Sequence, residues 1–200
     1  LSESNRVGDA YQKQRGLLVD LAKEDPQTFH IELLRSRIAY ADWRANEGEL
    51  SQAEQLYREL IDSCSKSATS SDADPGEISL VGTALSGLGT VLLARNELEA
   101  ARQAFEQAIE RQEAALAARH DQMRYRGLLC RHYCRLGAVC TRLKDSARAR
   151  SSWTKARDIF QEIESTSDPD VQYDIAWMLI GAADHWDLAA IIKLAQEAID

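Results

Sequence analysis

The sequence has few breaks in it. Only 3 prolines and 10 glycines interrupt 200 residues, and these are the residues that most often end regular elements. That scarcity argues against a loop-rich chain. With 44% hydrophobic and 28% charged residues, intrinsic disorder is excluded too. No apolar run approaches the ~18–20 residues needed to cross a bilayer. No basic stretch followed by an apolar one stands at the N-terminus, so no signal peptide is visible. The chain begins at Leu1 rather than Met, as a piece of a longer protein would. The four cysteines are Cys64, Cys130, Cys134 and Cys140, three of them in one expected helix. Cys130 and Cys134 stand four apart, where the helix backbone opposes a mutual disulfide. Free thiols in a reducing, cytoplasmic compartment fit this pattern.

Positive charge is also in short supply. The formal net charge is −8, which argues against general nucleic-acid binding. The deficit is uneven. Residues 119–157 hold eleven Arg or Lys against two acids, Asp121 and Asp145.

What the chain does have is Ala, Leu, Glu, Gln and Arg, all strong helix formers, and the expected class is all-α. It also has a repeat. A shift of 48 residues superposes Tyr40, Leu88 and Leu136, and likewise Ala41, Gly89 and Gly137. It aligns Ala53, Ala101 and Ala149; Tyr57, Phe105 and Trp153; and Leu60, Ala108 and Ala156. Each segment reads as two amphipathic helices. Helix A carries a large residue followed by a small one, and helix B carries small, aromatic, small at i, i+4, i+7. Gly89 and Ala101 let two helices approach closely, with Phe105 filling the space beside them. Short polar turns, Asn46-Glu47-Gly48, Arg95-Asn96-Glu97 and Leu143-Lys144-Asp145, separate the helices. Asp25-Pro26, Asp74-Pro75 and Asp168-Pro169 each precede an expected helix A, as an N-cap followed by a first-turn proline.

This pattern resembles the tetratricopeptide repeat (TPR). Leu85-x-x-Leu88-Gly89 with Ala101, Phe105 and Ala108 matches that helix-turn-helix unit, as does Tyr133-x-x-Leu136-Gly137 with Ala149, Trp153 and Ala156. Arg37-x-x-Tyr40-Ala41 with Ala53, Tyr57 and Leu60 is a looser match. A standard unit takes ~34 residues. Here about fourteen more follow helix B, in 64–77 and 112–124, and they read equally as extended helices or as loops. The chain resembles the long 48-residue TPR arrays of bacterial multidomain proteins, which often follow a Ser/Thr kinase domain. The expected organisation is a single array: a partial repeat at 1–26, repeats at 27–66, 75–120 and 122–166, and a degenerate or partial unit at 169–200. The terminal partial units carry Gln14, Leu18 and Leu21 at one end. At the other they carry Trp177, Ile180 and Gly181, then Ile191, Ala195 and Ala198. The resemblance implies a right-handed superhelical solenoid of antiparallel helix pairs.

Sites of chemistry are sparse. Gly87-Leu88-Gly89 lies mid-helix, without the third glycine or the strand–turn–helix setting of a phosphate loop, and reads as packing. Cys130 and Cys134 share a face, but His132 points about 160° away at 100° per residue. A structural zinc site needs four convergent ligands, so no metal is expected. His30, His120, His132 and His185 are scattered, and none pairs with a nucleophile. Glu97 and Glu99 suit a helix N-terminus. The aromatics recur in register and so read as core. Residues 67–76 are small and polar and read as an inter-repeat loop, with phosphorylation as the alternative. Neither an enzyme nor a cofactor is expected.

The resemblance places function on the concave face, which helix A lines and where an extended peptide or partner helix binds. Candidate groove residues are Arg35, Ile38, Asp42 and Asn46 in the first repeat. The second offers Thr83, Ser86, Thr90 and Leu93, and the third Arg131, Cys134, Arg135 and Arg142. The third-repeat residues favour an acidic partner through arginine forks, unless the arginines pair with neighbours such as Asp121. The Lys and Asn carboxylate clamp of chaperone-binding TPR proteins is absent, since Ile38, Asp42, Ser86, Thr90, Cys134 and Ala138 stand there. The expected role is a non-catalytic scaffold or adaptor for a protein or peptide, within a larger chain and away from membranes. The alternatives are regulation in cis of an attached kinase-like domain, RNA binding through the basic third repeat, and self-association through the incomplete ends.

Overall fold

The structure, a computed structural model, describes residues 3–64 and 73–164. The described residues form helices alone: α1 (Glu3–Glu24), α2 (Pro26–Asn46), α3 (Leu50–Cys64), α4 (Pro75–Ala94), α5 (Leu98–Ala118), α6 (Met123–Arg142) and α7 (Ser146–Glu164). The pairs α2/α3, α4/α5 and α6/α7 are hairpins around turns of three residues. The expected units beyond residue 164, with Asp168-Pro169, lie outside the described residues.

The helix starts follow from local chemistry. The Asp25 carboxylate accepts from the Thr28 N–H at 3.1 Å, and that of Asp74 accepts from the Gly76 N–H at 2.6 Å. Each satisfies a donor that the first turn would otherwise orphan. Pro75 and Gly76 therefore belong to α4, and the polar stretch at 67–76 gives up its last two residues to the helix.

The turns share one backbone hydrogen-bond pattern. Gly48, Asn96 and Lys144 take φ of 84°, 63° and 61°. Each donates its N–H three residues back, to Ala45, Leu93 and Thr141 at 3.0–3.1 Å. The next residue reaches five back, to Arg44, Leu92 and Cys140. Glycine enters this left-handed region without strain and asparagine tolerates it, whereas lysine is strained there. The question of the long spacers is settled for 112–124. Residues up to Ala118 continue α5, and Met123 opens α6.

Packing follows the small-large-small stripe. A Cβ added at Gly89 would lie 2.6 Å from the Phe105 ring, and one at Gly137 would lie 2.7 Å from that of Trp153. Both are closer than atoms approach, so each glycine lets the aromatic of its own hairpin lie flat against helix A. Ala53, Ala101, Ala108 and Phe105 are fully buried. One joint runs between hairpins. The Tyr57 ring from α3 occupies the space that a side chain at Gly87 of α4 would need. Helices α2, α4 and α6 also meet directly along one side of the stack.

One expectation needs correcting. By length and composition α4 is apolar enough to cross a membrane, and 72% of it is buried inside the protein. Its small residues hid this, since Gly82, Ala84, Ser86, Gly87 and Gly89 break up the visibly apolar run. Packing between α3, α5, α2 and α6 accounts for that character.

Candidate partner groove

The A helices bring their inner faces to a cavity of about 560 Å³. From α2 come Arg35, Ile38, Asp42 and Asn46, from α4 Thr83 and Thr90, and from α6 Arg131 and Arg135. Eight of the twelve residues singled out for a partner (Arg35, Ile38, Asp42, Asn46, Thr83, Thr90, Arg131 and Arg135) line this one space.

The other four do not. Leu93 packs against the apolar core. Ser86 is fully buried, and its hydroxyl accepts from the Arg135 guanidinium at 2.7 Å. Cys134 is buried at 9% exposure, because α6 rotates that position toward its neighbours. Arg142 reaches back to the preceding turn, donating to Asn96 Oδ1 at 2.8 Å and to the Leu93 carbonyl at 3.4 Å. Arg135 and Arg142 therefore tie α6 to α4. The suggested pairing with Asp121 is not how these arginines are held.

Arg131 is different. It is half-buried, its Nε is shielded from water, and it has neither hydrogen bond nor salt bridge among the described residues. Burial first, then the neighbouring Arg135, push its guanidinium down to about 10, which still leaves it cationic at neutral pH. Asp42 accepts a hydrogen bond from the Tyr57 hydroxyl. Burial chiefly, and that carboxylate next, raise the Tyr57 phenol far above its ordinary range.

Among the groove residues that escaped the sequence reading are Arg124, Tyr125 and Leu128. Their signal was present. Arg124, Leu128, Arg131 and Arg135 follow i, i+4, i+7, i+11, a single stripe on a helix, and all four line the cavity.

Among the described residues no group of three or more His, Cys, Asp or Glu converges as metal ligands. The four cysteines are buried and form no disulfide. Cys130 Sγ donates to the Ala156 carbonyl at 3.3 Å, tying α6 to α7. His132 is fully buried with both ring nitrogens unpartnered. Burial, with Arg131 and Arg135 adding to it, drives its pKa well below the ordinary imidazole value, so it is neutral.

Residues 81–121 match the family model of the tetratricopeptide repeat. The structure resembles the crystal structure of BtubC (BKLC) from P. vanneervenii. The TM-score is 0.67 at 18% sequence identity, over 99% of this chain and 73% of that one. At that identity the likeness is one of fold. No curated protein matches the sequence.

Proposed function

We propose that this chain, a tetratricopeptide-repeat protein, is a non-catalytic module that binds other proteins, taking a partner peptide or helix along the face built by α2, α4 and α6. The observation that carries this reading is the continuous cavity across three successive A helices. A stack leaves such a face open because each unit buries its B helix side against the next. The cavity suits a segment of chain rather than a small substrate, being open and walled by side chains from three helices. Acidic partners are favoured, since guanidiniums outnumber carboxylates along the lining. A partner domain in the same polypeptide would use the same face. RNA is disfavoured, because Arg135 and Arg142 are committed to α4 and the in-register aromatics Tyr57 and Phe105 are buried rather than free to stack.

The test is site-directed photocrosslinking in host extract. A photoreactive residue at Thr90, inside the groove, captures a discrete partner. The same residue at Glu110, exposed on α5, captures none. Capture at Glu110 and not at Thr90 would move the site to the outer surface and defeat the groove.

A further inference from the structure

The groove's charge is concentrated at one end and not closed. Four guanidiniums, Arg35, Arg124, Arg131 and Arg135, line the cavity. Two carboxylates balance part of this: Glu32 pairs with Arg35 at 2.8 Å, and Asp42 shares the lining. Two positive charges remain unmatched, that of half-buried Arg131 and that of Arg124 at the exposed rim. Neither Arg124 nor Arg131 is in a salt bridge among the described residues. An unpaired, half-buried guanidinium is unfavourable unless an anion meets it. Arg135 explains itself by its bond to Ser86. Arg131, one turn earlier on the same face, feels the Asp42 carboxylate across the groove but makes no hydrogen bond or salt bridge among the described residues, and its shielded Nε has no acceptor. Tyr125 adds a half-buried hydroxyl to the lining beside Arg124 and Arg35.

From this we infer that Arg131, with Arg124 beside it, is a receptor for a phosphoryl dianion carried on a side chain of a protein partner. The inference rests on the groove reading and deepens it. A carboxylate would neutralise one of the two unmatched charges, whereas a phosphoryl group neutralises both and offers three acceptor oxygens to forked donors. Arginine suits this better than lysine, because its planar fork binds two oxygens at once. The neutral His132 next to Arg131 adds no charge to the count.

The test uses the 200-residue chain and two degenerate peptide libraries of equal composition, one with a central phosphoserine and one with a central glutamate. Binding is read by fluorescence anisotropy at fixed ionic strength. The expected result is retention of the phosphoserine library, weakened about 30-fold or more in Arg131→Gln and nearly as far in Arg131→Lys. Free phosphate at millimolar concentration competes weakly, as an isolated headgroup lacks the peptide's other contacts. Thermal unfolding of Arg131→Gln is unchanged or shifted upward, which separates a receptor from a structural arginine. Arg135→Gln lowers the midpoint, because the link to Ser86 is lost. Equal retention of both libraries overturns the phosphoryl assignment and leaves an acidic groove standing. Competition by free phosphate as strong as by the peptides also overturns it, in favour of a small-anion site. Retention of neither library overturns the inference, and the crosslink at Thr90 then decides the groove separately.

Discussion

Where the second hairpin buries the methyl of Ala84, the third buries the whole imidazole of His132. Where the second has Gly87 and Thr83, the third has Arg135 and Arg131. The two hairpins occupy successive places in one stack, share one turn geometry, and differ in what fills it. Helix α4 is mostly buried against its neighbours, with Thr83 and Thr90 left on the groove, and Phe105 on its partner is fully buried. Helix α6 holds a buried imidazole, three buried thiols and a guanidinium without an anion. Its partner aromatic, Trp153, is only half-buried and forms a wall of a second cavity of about 550 Å³ with Arg150 and Arg157. The fold's stability thus concentrates in the second unit and its reactive chemistry in the third.

The largest effect that separates them is truncation of the paired aromatics. Phe105→Ala lowers the free energy of unfolding by about 3–5 kcal/mol. Trp153→Ala loses about half as much, because part of its ring is already in water. Urea unfolding of the two variants measures both, and equal losses would erase the contrast.

A second effect belongs to the third hairpin alone. His132 must shed its proton to be buried, so the unfolded chain binds one more proton than the folded one below pH ~6.5. Its contribution is intact above that pH. As the medium acidifies toward the depressed folded value, stability falls by about 1.4 kcal/mol per pH unit. His132→Leu removes that slope, while Ala84→Ser, at the equivalent place in α4, leaves it as it was. Unfolding midpoints between pH 7 and 5 read the difference, and an unchanged slope in His132→Leu would assign the acid sensitivity to another group.

The smallest effect is in the turns. Lys144→Gly relieves a strained left-handed residue and raises stability by about 0.5–1 kcal/mol. Asn96→Gly gains only a few tenths, since asparagine already tolerates that conformation. A loss on Lys144→Gly would mean that the side chain, not the backbone, holds the third turn.

Much of this was legible in the residues. The Asp-Pro starts, the small-aromatic-small stripe and the polar turns mark out the hairpins, and Gly89 and Gly137 meet the aromatics their spacing assigns them. Of the groove, the A-helix face was legible but its depth was not. Periodicity says which way a residue points, not what lies within reach of it. Ser86 points toward the groove side yet is sealed beneath Arg135, and Arg142 is long enough to reach Asn96 in the preceding unit. Arg124 was passed over because it stands in the spacer after helix B, where helix and loop could not be told apart. Once that spacer is seen to end in the first turn of α6, Arg124 falls on the same stripe as Arg131.

The Tyr57 ring under Gly87 acts as a shim at the joint between the first and second hairpins. It sets how closely α4 can approach α3 at that point. A methyl at position 87 would wedge that joint open and swing α2 away from α6, widening the mouth between Asp42 and Arg131 while altering neither. The spacing of the inner face therefore depends in part on a residue that has no side chain.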